Sequence, residues 1–193
     1  DTRFNDVCAD PEGRVFCGTM RIPERPGRLY RLDPDLSIRV VVENVGVSNG
    51  IGFTPDLTQM YYTDTTPGEI YLFDYDRPSG EITNRRVFVK VPANPGEGKP
   101  DGMTVDAEGY VWSARWDGGC LVRYAPDGRE DRRIGFPAKK VSCPEFGGAD
   151  YGELYVTCAG GDHKDTDGPG AGALFRLRPG VHGKPEFLSK IGL

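Results

Sequence analysis

The sequence predicts an all-β protein, a β-propeller with about four blades of four antiparallel strands. In four stretches a polar or glycine-bearing turn leads into an alternating strand, a tight turn and a second strand rich in Val, Tyr, Phe or Trp. These stretches recur at steps of about 40–50 residues, the period of propeller blades. The 27 Gly and 16 Pro among 193 residues favour short strands and tight turns over long helices.

The repeats divide the chain into four predicted blades within a single domain, residues 1–193. The blade limits are approximately 5–47, 48–99, 100–141 and 142–193. Period-2 alternation and turn residues give four strands in each blade. In the first blade they are Asp6–Asp10, Arg14–Gly18, Arg28–Leu32 and Ile38–Val42. In the second they are Gly50–Phe53, Gln59–Thr63, Glu69–Phe73 and Arg86–Val89. In the third they are Gly102–Asp106, Tyr110–Ala114, Cys120–Tyr124 and Arg132–Ile134. In the fourth they are Cys143–Gly147, Glu153–Cys158, Ala173–Leu177 and Glu186–Leu188.

Turn residues support the first hairpin of three blades. The turns read Asp10-Pro-Glu-Gly13, Pro55-Asp56-Leu57 and Asp106-Ala-Glu-Gly109. Glycine supplies the positive φ that such turns need, whereas Pro and Asp favour the turn entry. Each blade is therefore predicted to be an antiparallel meander.

Four blades make either a small closed ring or part of a larger one. The chain starts abruptly at Asp1-Thr-Arg-Phe-Asn-Asp6, already at the mouth of a blade. We therefore expect an incomplete ring that lacks its N-terminal blades.

Composition excludes some classes of function. The net charge is −5 and the chain has no run of five like charges, which argues against nucleic-acid binding. No stretch approaches about 18 apolar residues, so no membrane-spanning helix is expected. Five cysteines without a CxxC motif indicate reduced thiols and a cytoplasmic protein.

Polar residues cluster where the innermost strand of each predicted blade begins, and these strand entries converge on one end of a central channel. The residues at the entries are Arg3, Asn5, Asp6, Ser48, Asn49, Asp101, Ser142 and Cys143. Amide and carboxylate oxygens gathered there suit a hard divalent cation. Spacing alone leaves a second interpretation open, in which Asn49-Gly50 and Asp101-Gly102 are simple turn dipeptides.

The motifs at these entries resemble those of the regucalcin (senescence marker protein), gluconolactonase and luciferin-regenerating enzyme family. The resemblance covers essentially the whole chain, in order. It rests on Arg3-Phe-Asn-Asp6 with Gly18-Thr-Met20, Ser48-Asn-Gly50 with Tyr61-Tyr-Thr-Asp-Thr65, Pro100-Asp-Gly-Met103 with Gly109-Tyr-Val-Trp112, and Phe146-Gly-Gly148 with Leu154-Tyr-Val-Thr-Cys158.

The resemblance implies a six-bladed propeller with one divalent cation in its channel. Asn49 and Asp101 would be metal ligands, with Arg3 and Asn5 contacting the substrate. The third protein ligand in the family is a Glu in the first blade, which nothing in this sequence matches. Glu24 is a loose candidate for a further substrate contact. Ca²⁺ is the expected ion, with Zn²⁺, Mg²⁺ and Mn²⁺ as alternatives.

The activity implied is hydrolysis of a sugar lactone. The cation would polarise the ring carbonyl, and Asp101 would act as general base on a water molecule. Arg3 and Asn5 would orient the lactone. A non-catalytic propeller that binds calcium or a partner is the alternative from another class, and a chain that is inactive without its missing blades also stays open.

Two other motifs compete weakly with this interpretation. Gly46-Val-Ser-Asn-Gly50 matches the nucleophile-elbow pattern of serine hydrolases, but a strand and a Pro55-Asp56 turn follow it rather than a helix. Asp162-His-Lys-Asp-Thr-Asp-Gly168 resembles a calcium loop but misses the EF-hand register, so a solvated loop is expected.

Overall fold

The computed structural model describes residues 2–193, except for the side chain of His163. The described part of the chain contains 15 β-strands in four antiparallel sheets and one short 3-10 helix, Gly161–His163. The all-β prediction is therefore confirmed. No helix in residues 2–193 has the length and the apolar character needed to span a membrane.

Two four-stranded sheets lie in the first compact unit, which comprises the chain up to Phe88 together with Glu186–Leu193. In both sheets consecutive strands pair, as expected for a meander. The first sheet contains β1 (Phe4–Ala9), β2 (Val15–Thr19), β3 (Gly27–Leu32) and β4 (Ile38–Val45). The second contains β5 (Ser48–Phe53), β6 (Gln59–Asp64), β7 (Glu69–Asp76) and β8 (Glu81–Lys90). The first strands of the two sheets, β1 and β5, lie beside each other.

The second compact unit, Val89–Pro185, holds the other two sheets. The third sheet contains β9 (Lys99–Val105), β10 (Val111–Trp116), β11 (Cys120–Tyr124) and β12 (Glu130–Gly135). The fourth contains β13 (Val141–Gly147), β14 (Glu153–Cys158) and β15 (Leu174–Leu177). Here too the first strands, β9 and β13, are neighbours.

The fourth sheet has three strands, so the strand predicted at Glu186–Leu188 was wrong. This segment belongs to the first unit. Phe187 packs against Phe53 with ring centroids 6.0 Å apart, and the Lys190 N–H donates to the Gly13 carbonyl at 2.9 Å. The Phe187 side chain is thus partly buried by residues far away in sequence.

Each unit has its own apolar core between its two sheets. The first is built from aromatic and aliphatic side chains that include Phe16, Leu29, Phe53, Met60 and Tyr62. The second includes Trp112, Leu121, Val141, Phe146 and Leu154. Buried and more exposed residues alternate along β3 and most of β14, as the period-2 pattern predicts. In β5, β6, β10 and β11 nearly every residue is buried, so both faces of these strands are covered.

Buried aspartates fix two of the predicted turns. Asp10 is fully buried and accepts hydrogen bonds from the N–H groups of Glu12 and Arg14. Asp106, also fully buried, accepts from the N–H groups of Glu108 and Tyr110 in the same way. The carboxylate therefore satisfies the backbone donors of a tight turn at the far end of the first strand.

Candidate functional site

The first strand of every sheet carries a β-bulge close to its start. In β1 the pairing changes register between Phe4 and Val7, and in β5 between Asn49 and Ile51. In β9 the change falls opposite Ser113 and Arg115, and in β13 between Val141 and Cys143. A bulge redirects side chains out of the regular alternation.

The bulges coincide with the polar positions that the sequence analysis selected. Asn5 lies inside the bulge of β1, Asn49 begins that of β5, and Asp101 lies inside that of β9. Asn49 is 7% exposed and Asp101 is 8% exposed. Polar side chains held at such points are positioned by the sheet itself rather than by a mobile loop.

The structure brings Arg3, Asn5 and Asn49 together in the first unit. Arg3 Nη1 donates to Asn5 Oδ1 at 2.8 Å, and Asn5 Nδ2 donates to Asn49 Oδ1 at 3.1 Å. Asn5 Nδ2 also donates to the Ser48 carbonyl at 2.8 Å. Three residues predicted from two separate motifs therefore form one continuous chain of hydrogen bonds.

The chain continues to a residue that the sequence analysis did not select. Asn49 Nδ2 donates to Thr65 Oγ1 at 2.8 Å. Thr65 begins the turn after β6, and its N–H donates to the Val47 carbonyl at 3.0 Å. The only signal in the sequence was its place after Asp64 in the Tyr61-to-Thr65 motif, where a threonine is unremarkable.

Asp64 links the turn that precedes Asn49 with the turn that contains Thr65. Its carboxylate accepts hydrogen bonds from the N–H groups of Gly46, Val47 and Thr66, at 3.0 to 3.3 Å. The residue is 6% exposed. Asp64 is therefore a turn-holding group.

Asp101 lies in the second unit, where β9 and β13 approach closely. A Cβ atom on the next residue, Gly102, would lie 2.7 Å from the Ser142 carbonyl oxygen and 2.8 Å from Cys143 Sγ. Only glycine fits beside Asp101 at this position. The dipeptide Asp101-Gly102 thus lies within a strand, and the turn interpretation of it is excluded.

Asn49-Gly50 is also part of a strand rather than a turn, since β5 runs from Ser48 to Phe53. The same strand excludes the nucleophile-elbow interpretation. Ser48 is fully buried, whereas an elbow serine must be exposed above its sheet. The hydroxyls of Ser48 and Tyr62 are both buried, and burial raises the pKa of Tyr62.

The loop from Asp162 to Gly168 uses its last carboxylate for structure. Asp167 is 4% exposed and pairs with Lys140, with Nζ 2.5 Å from Oδ2. The expectation of a wholly solvated loop was therefore wrong at this residue, because a paired lysine compensates for the burial of the charge.

The donor chemistry at Asn49 and Asp101 fits a hard divalent cation. Both residues supply oxygen, the ligand atom that Ca²⁺, Mg²⁺ and Mn²⁺ prefer. Among the side chains that the structure describes, no group of three or more His, Cys, Asp or Glu could hold a metal ion. In the described part of the chain, no disulfide joins any of the five cysteines. Asn49 offers an amide oxygen, and Asp101 offers a carboxylate.

A cavity of about 540 Å³ opens in the first unit beside the turns that Asp64 holds. Glu24, the loose candidate for a substrate contact, lines it together with Arg21, Arg25 and Asp64. Glu24 is exposed. Its place in this cavity is compatible with the suggested contact.

The geometry described so far is that of a protein built from antiparallel β-sheets, with oxygen donors near the start of the first strand in three of them. The SMP-30/Gluconolactonase/LRE-like region model matches residues 1–160. The chain belongs to this family, and the predicted membership is confirmed.

Individual relatives agree with the family. The chain is 49% identical over 199 residues to pentonolactonase XacC of Haloferax volcanii, covering 100% of this chain and 68% of that protein. A solved luciferin-regenerating enzyme matches with a TM-score of 0.88 and 30% identity, covering 98% of this chain and 66% of that one. A calcium-binding protein, regucalcin from Agrobacterium tumefaciens, matches with a TM-score of 0.86 and 32% identity, covering 97% and 64%.

These matches confirm the β-propeller fold class. The chain spans about two-thirds of the length of the relatives it matches. The division into blades at 5–47, 48–99, 100–141 and 142–193 stays a prediction.

Proposed function

We propose that the protein hydrolyses sugar lactones with the help of one divalent cation. The observation that carries the proposal is the hydrogen-bonded array of Arg3, Asn5 and Asn49, at the positions to which the family resemblance assigns substrate and metal binding. The 49% identity to a pentonolactonase supports a five-carbon sugar lactone as substrate, and similarity to a gluconolactonase of Xanthomonas campestris supports a six-carbon one.

Asn49 Oδ1 and the carboxylate of Asp101 are the proposed metal ligands. A calcium-binding regucalcin among the similar structures supports Ca²⁺ as the ion, while Zn²⁺, Mg²⁺ and Mn²⁺ remain alternatives. When bound, the cation supplies Lewis-acid polarisation of the lactone carbonyl. The family's third ligand, a Glu, has no counterpart in this sequence.

Asp101 is the proposed general base. Its carboxylate takes a proton from a water molecule as the water oxygen forms a bond to the carbonyl carbon. The ring C–O bond then breaks, and the ring oxygen leaves as a hydroxyl after taking up the proton that Asp101 accepted from the water. The product is an open hydroxy acid, which releases a proton near neutral pH. A carboxylate beside a cation is a modest base, so both groups are needed.

Arg3 and Asn5 are the proposed substrate-orienting residues. Arg3 is exposed and Asn5 is partly exposed, so their remaining donors can reach a ligand. Arg3 has a fork of N–H groups that suits carbonyl and hydroxyl oxygens. Because both are already linked to Asn49, a bound lactone would be oriented relative to the metal ligand.

The test measures the acid that the intact protein releases from gluconolactone and from pentonolactones, using pH-stat titration. We expect turnover that a chelator abolishes and Ca²⁺ or another divalent ion restores. Asp101→Asn should lower kcat by about 100-fold or more, in line with loss of a general base. Asp127→Asn changes an exposed acid elsewhere and is the matched control.

Other outcomes have clear meanings. Cation binding without any acid release would favour the alternative, a propeller that binds calcium or a partner. Full activity of Asp101→Asn would exclude the role of Asp101 as base. The lack of a disulfide among the described residues supports the further proposal of a cytoplasmic setting.

A further inference from the structure

The direction of the Asn5 amide follows from its neighbours. The Arg3 guanidinium can only donate hydrogen bonds, and a backbone carbonyl such as that of Ser48 can only accept them. Arg3 contacts Asn5 Oδ1 and the Ser48 carbonyl contacts Asn5 Nδ2, so exchanging the two ends of the amide would break both interactions. Asn5 must therefore present an N–H group to Asn49.

The direction of the Asn49 amide follows in turn. Because Asn5 Nδ2 donates to it, the atom of Asn49 on this side must be the oxygen. Its nitrogen then faces Thr65, whose hydroxyl oxygen accepts the hydrogen bond at 2.8 Å. The Asn49 oxygen has two acceptor sites, and Asn5 uses one. The second stays available for an ion.

Thr65 is itself held in place by the backbone around it. Its N–H donates to the Val47 carbonyl, and the carboxylate of Asp64 binds the N–H groups of Gly46, Val47 and Thr66. These contacts connect the turn that precedes Asn49 with the turn that contains Thr65. The distance between the Asn49 amide and the Thr65 hydroxyl is thereby set by hydrogen bonds of the backbone, those to Asp64 being partly buried.

We propose that Thr65 is a positioning residue for the cation site, and that Asp64 holds it in register with Asn49. By accepting from Asn49 Nδ2, Thr65 keeps the amide from rotating and keeps its oxygen directed at the ion. This inference rests on the proposed function, since it takes Asn49 as a metal ligand. Groups that orient a ligand in this way commonly change metal affinity by about 10- to 100-fold when they are removed.

The test is calorimetric titration of the intact, metal-free protein with Ca²⁺ alone, in four variants. Thr65→Val keeps the shape of the side chain but cannot accept a hydrogen bond, and should weaken Ca²⁺ binding about 10-fold. Thr65→Ser keeps the hydroxyl and should bind close to the wild-type value. Asn49→Ala removes the ligand itself. Thr66→Val changes the neighbouring exposed threonine and is the control.

The outcomes separate the two proposals. Unchanged Ca²⁺ binding in Asn49→Ala would overturn the cation site and the positioning role together. Weaker binding in Asn49→Ala with unchanged binding in Thr65→Val would overturn the positioning role alone. Equal weakening in Thr65→Ser and Thr65→Val would also overturn it, since the hydroxyl would not matter. Should Thr65→Val fold poorly by circular dichroism, Thr65→Ala replaces it in the same comparison.

Discussion

Gly18 shows how one absent side chain makes room for the site. A Cβ atom at this position would lie 1.6 Å from Ser48 Oγ and 2.2 Å from Ser48 Cβ. Ser48 is fully buried beside it, and its carbonyl accepts the hydrogen bond from Asn5. Any side chain added at residue 18 would therefore push against Ser48, the residue that directly precedes Asn49.

We expect Gly18→Ala to destabilise the protein by about 1–3 kcal/mol, because a buried site without free space must shift to accept a methyl group. Gly135→Ala is the matched control, since a Cβ there meets nothing within 4 Å. Urea denaturation of both variants measures the difference. Equal stabilities for the two would show that the contact at Gly18 relaxes without cost.

Sequence reasoning found some of the site residues but not others. Arg3, Asn5 and Asn49 stand in recognisable motifs, and the structure joins them by hydrogen bonds. Thr65 could not be selected, because its importance depends on whether the nitrogen or the oxygen of the Asn49 amide faces it. That direction is set by Arg3, a residue 62 positions earlier in the chain.

At the scale of elements, the turn between β9 and β10 is held by an ion pair. Arg123 Nη2 lies 2.7 Å from Asp106 Oδ2, and the two side chains are 4% and 0% exposed. Asp106 also accepts from the Trp112 indole N–H at 2.9 Å. Burial lowers the pKa of Arg123, but the hydrogen bonds that its guanidinium donates to Glu108, Asp106 and Asp131 raise that pKa above its ordinary value.

Asp106→Ala should destabilise the protein by about 3–5 kcal/mol. It leaves a buried guanidinium without its most buried partner and removes the acceptor for two turn N–H groups. The pair Asp127 and Arg129 is 67% and 72% exposed, so Asp127→Ala should cost less than about 1 kcal/mol.

Thermal or chemical unfolding of the two aspartate variants makes this comparison. A loss of stability of similar size in both would mean that the burial of Asp106 is not what makes it important.

Strand positions were largely predictable, because alternation and turn residues are local. Cys120–Tyr124 and Glu153–Cys158 were predicted with the bounds that the structure has. The strand predicted at Glu186–Leu188 was wrong, because an apolar residue such as Phe187 can pack against a core without its segment pairing in a sheet. The bulges were not predictable, since they depend on the register between two strands rather than on either one.

At the scale of the whole molecule, buried tyrosines make the free energy of unfolding depend on pH in the alkaline range. Burial, with a smaller contribution from the Asp56 charge, raises the pKa of Tyr61 from 10.0 to about 12. Burial and a hydrogen bond to Glu69 raise the pKa of Tyr71 to about 12. In the unfolded chain both phenols return to their ordinary values.

The sign of the effect follows from proton counting. Between about pH 10 and pH 12 the unfolded chain loses these phenolic protons while the folded protein keeps them. Their contribution to stability is fully present below pH 10 and is lost as pH rises through 12. The free energy of unfolding should therefore fall with increasing pH in this window.

Tyr61→Phe should make that fall less steep, since phenylalanine has no proton to lose and can keep the ring contact with Phe88, now 4.8 Å between centroids. Urea denaturation at about pH 8 and about pH 11 gives the two stabilities to compare. Parallel losses in wild type and variant would exclude Tyr61 as a source of the pH dependence.

The sequence by itself determined the repeat, the strands, the turn aspartates and the residue types at the strand entries, because each depends on neighbours close along the chain. Only the tertiary structure decided the directions of the Asn5 and Asn49 amides and the part played by Thr65. An amide side chain has two nearly equivalent ends, and what distinguishes them is the set of donors and acceptors that folding brings against it. For Asn5 that acceptor, the Ser48 carbonyl, lies 43 residues away.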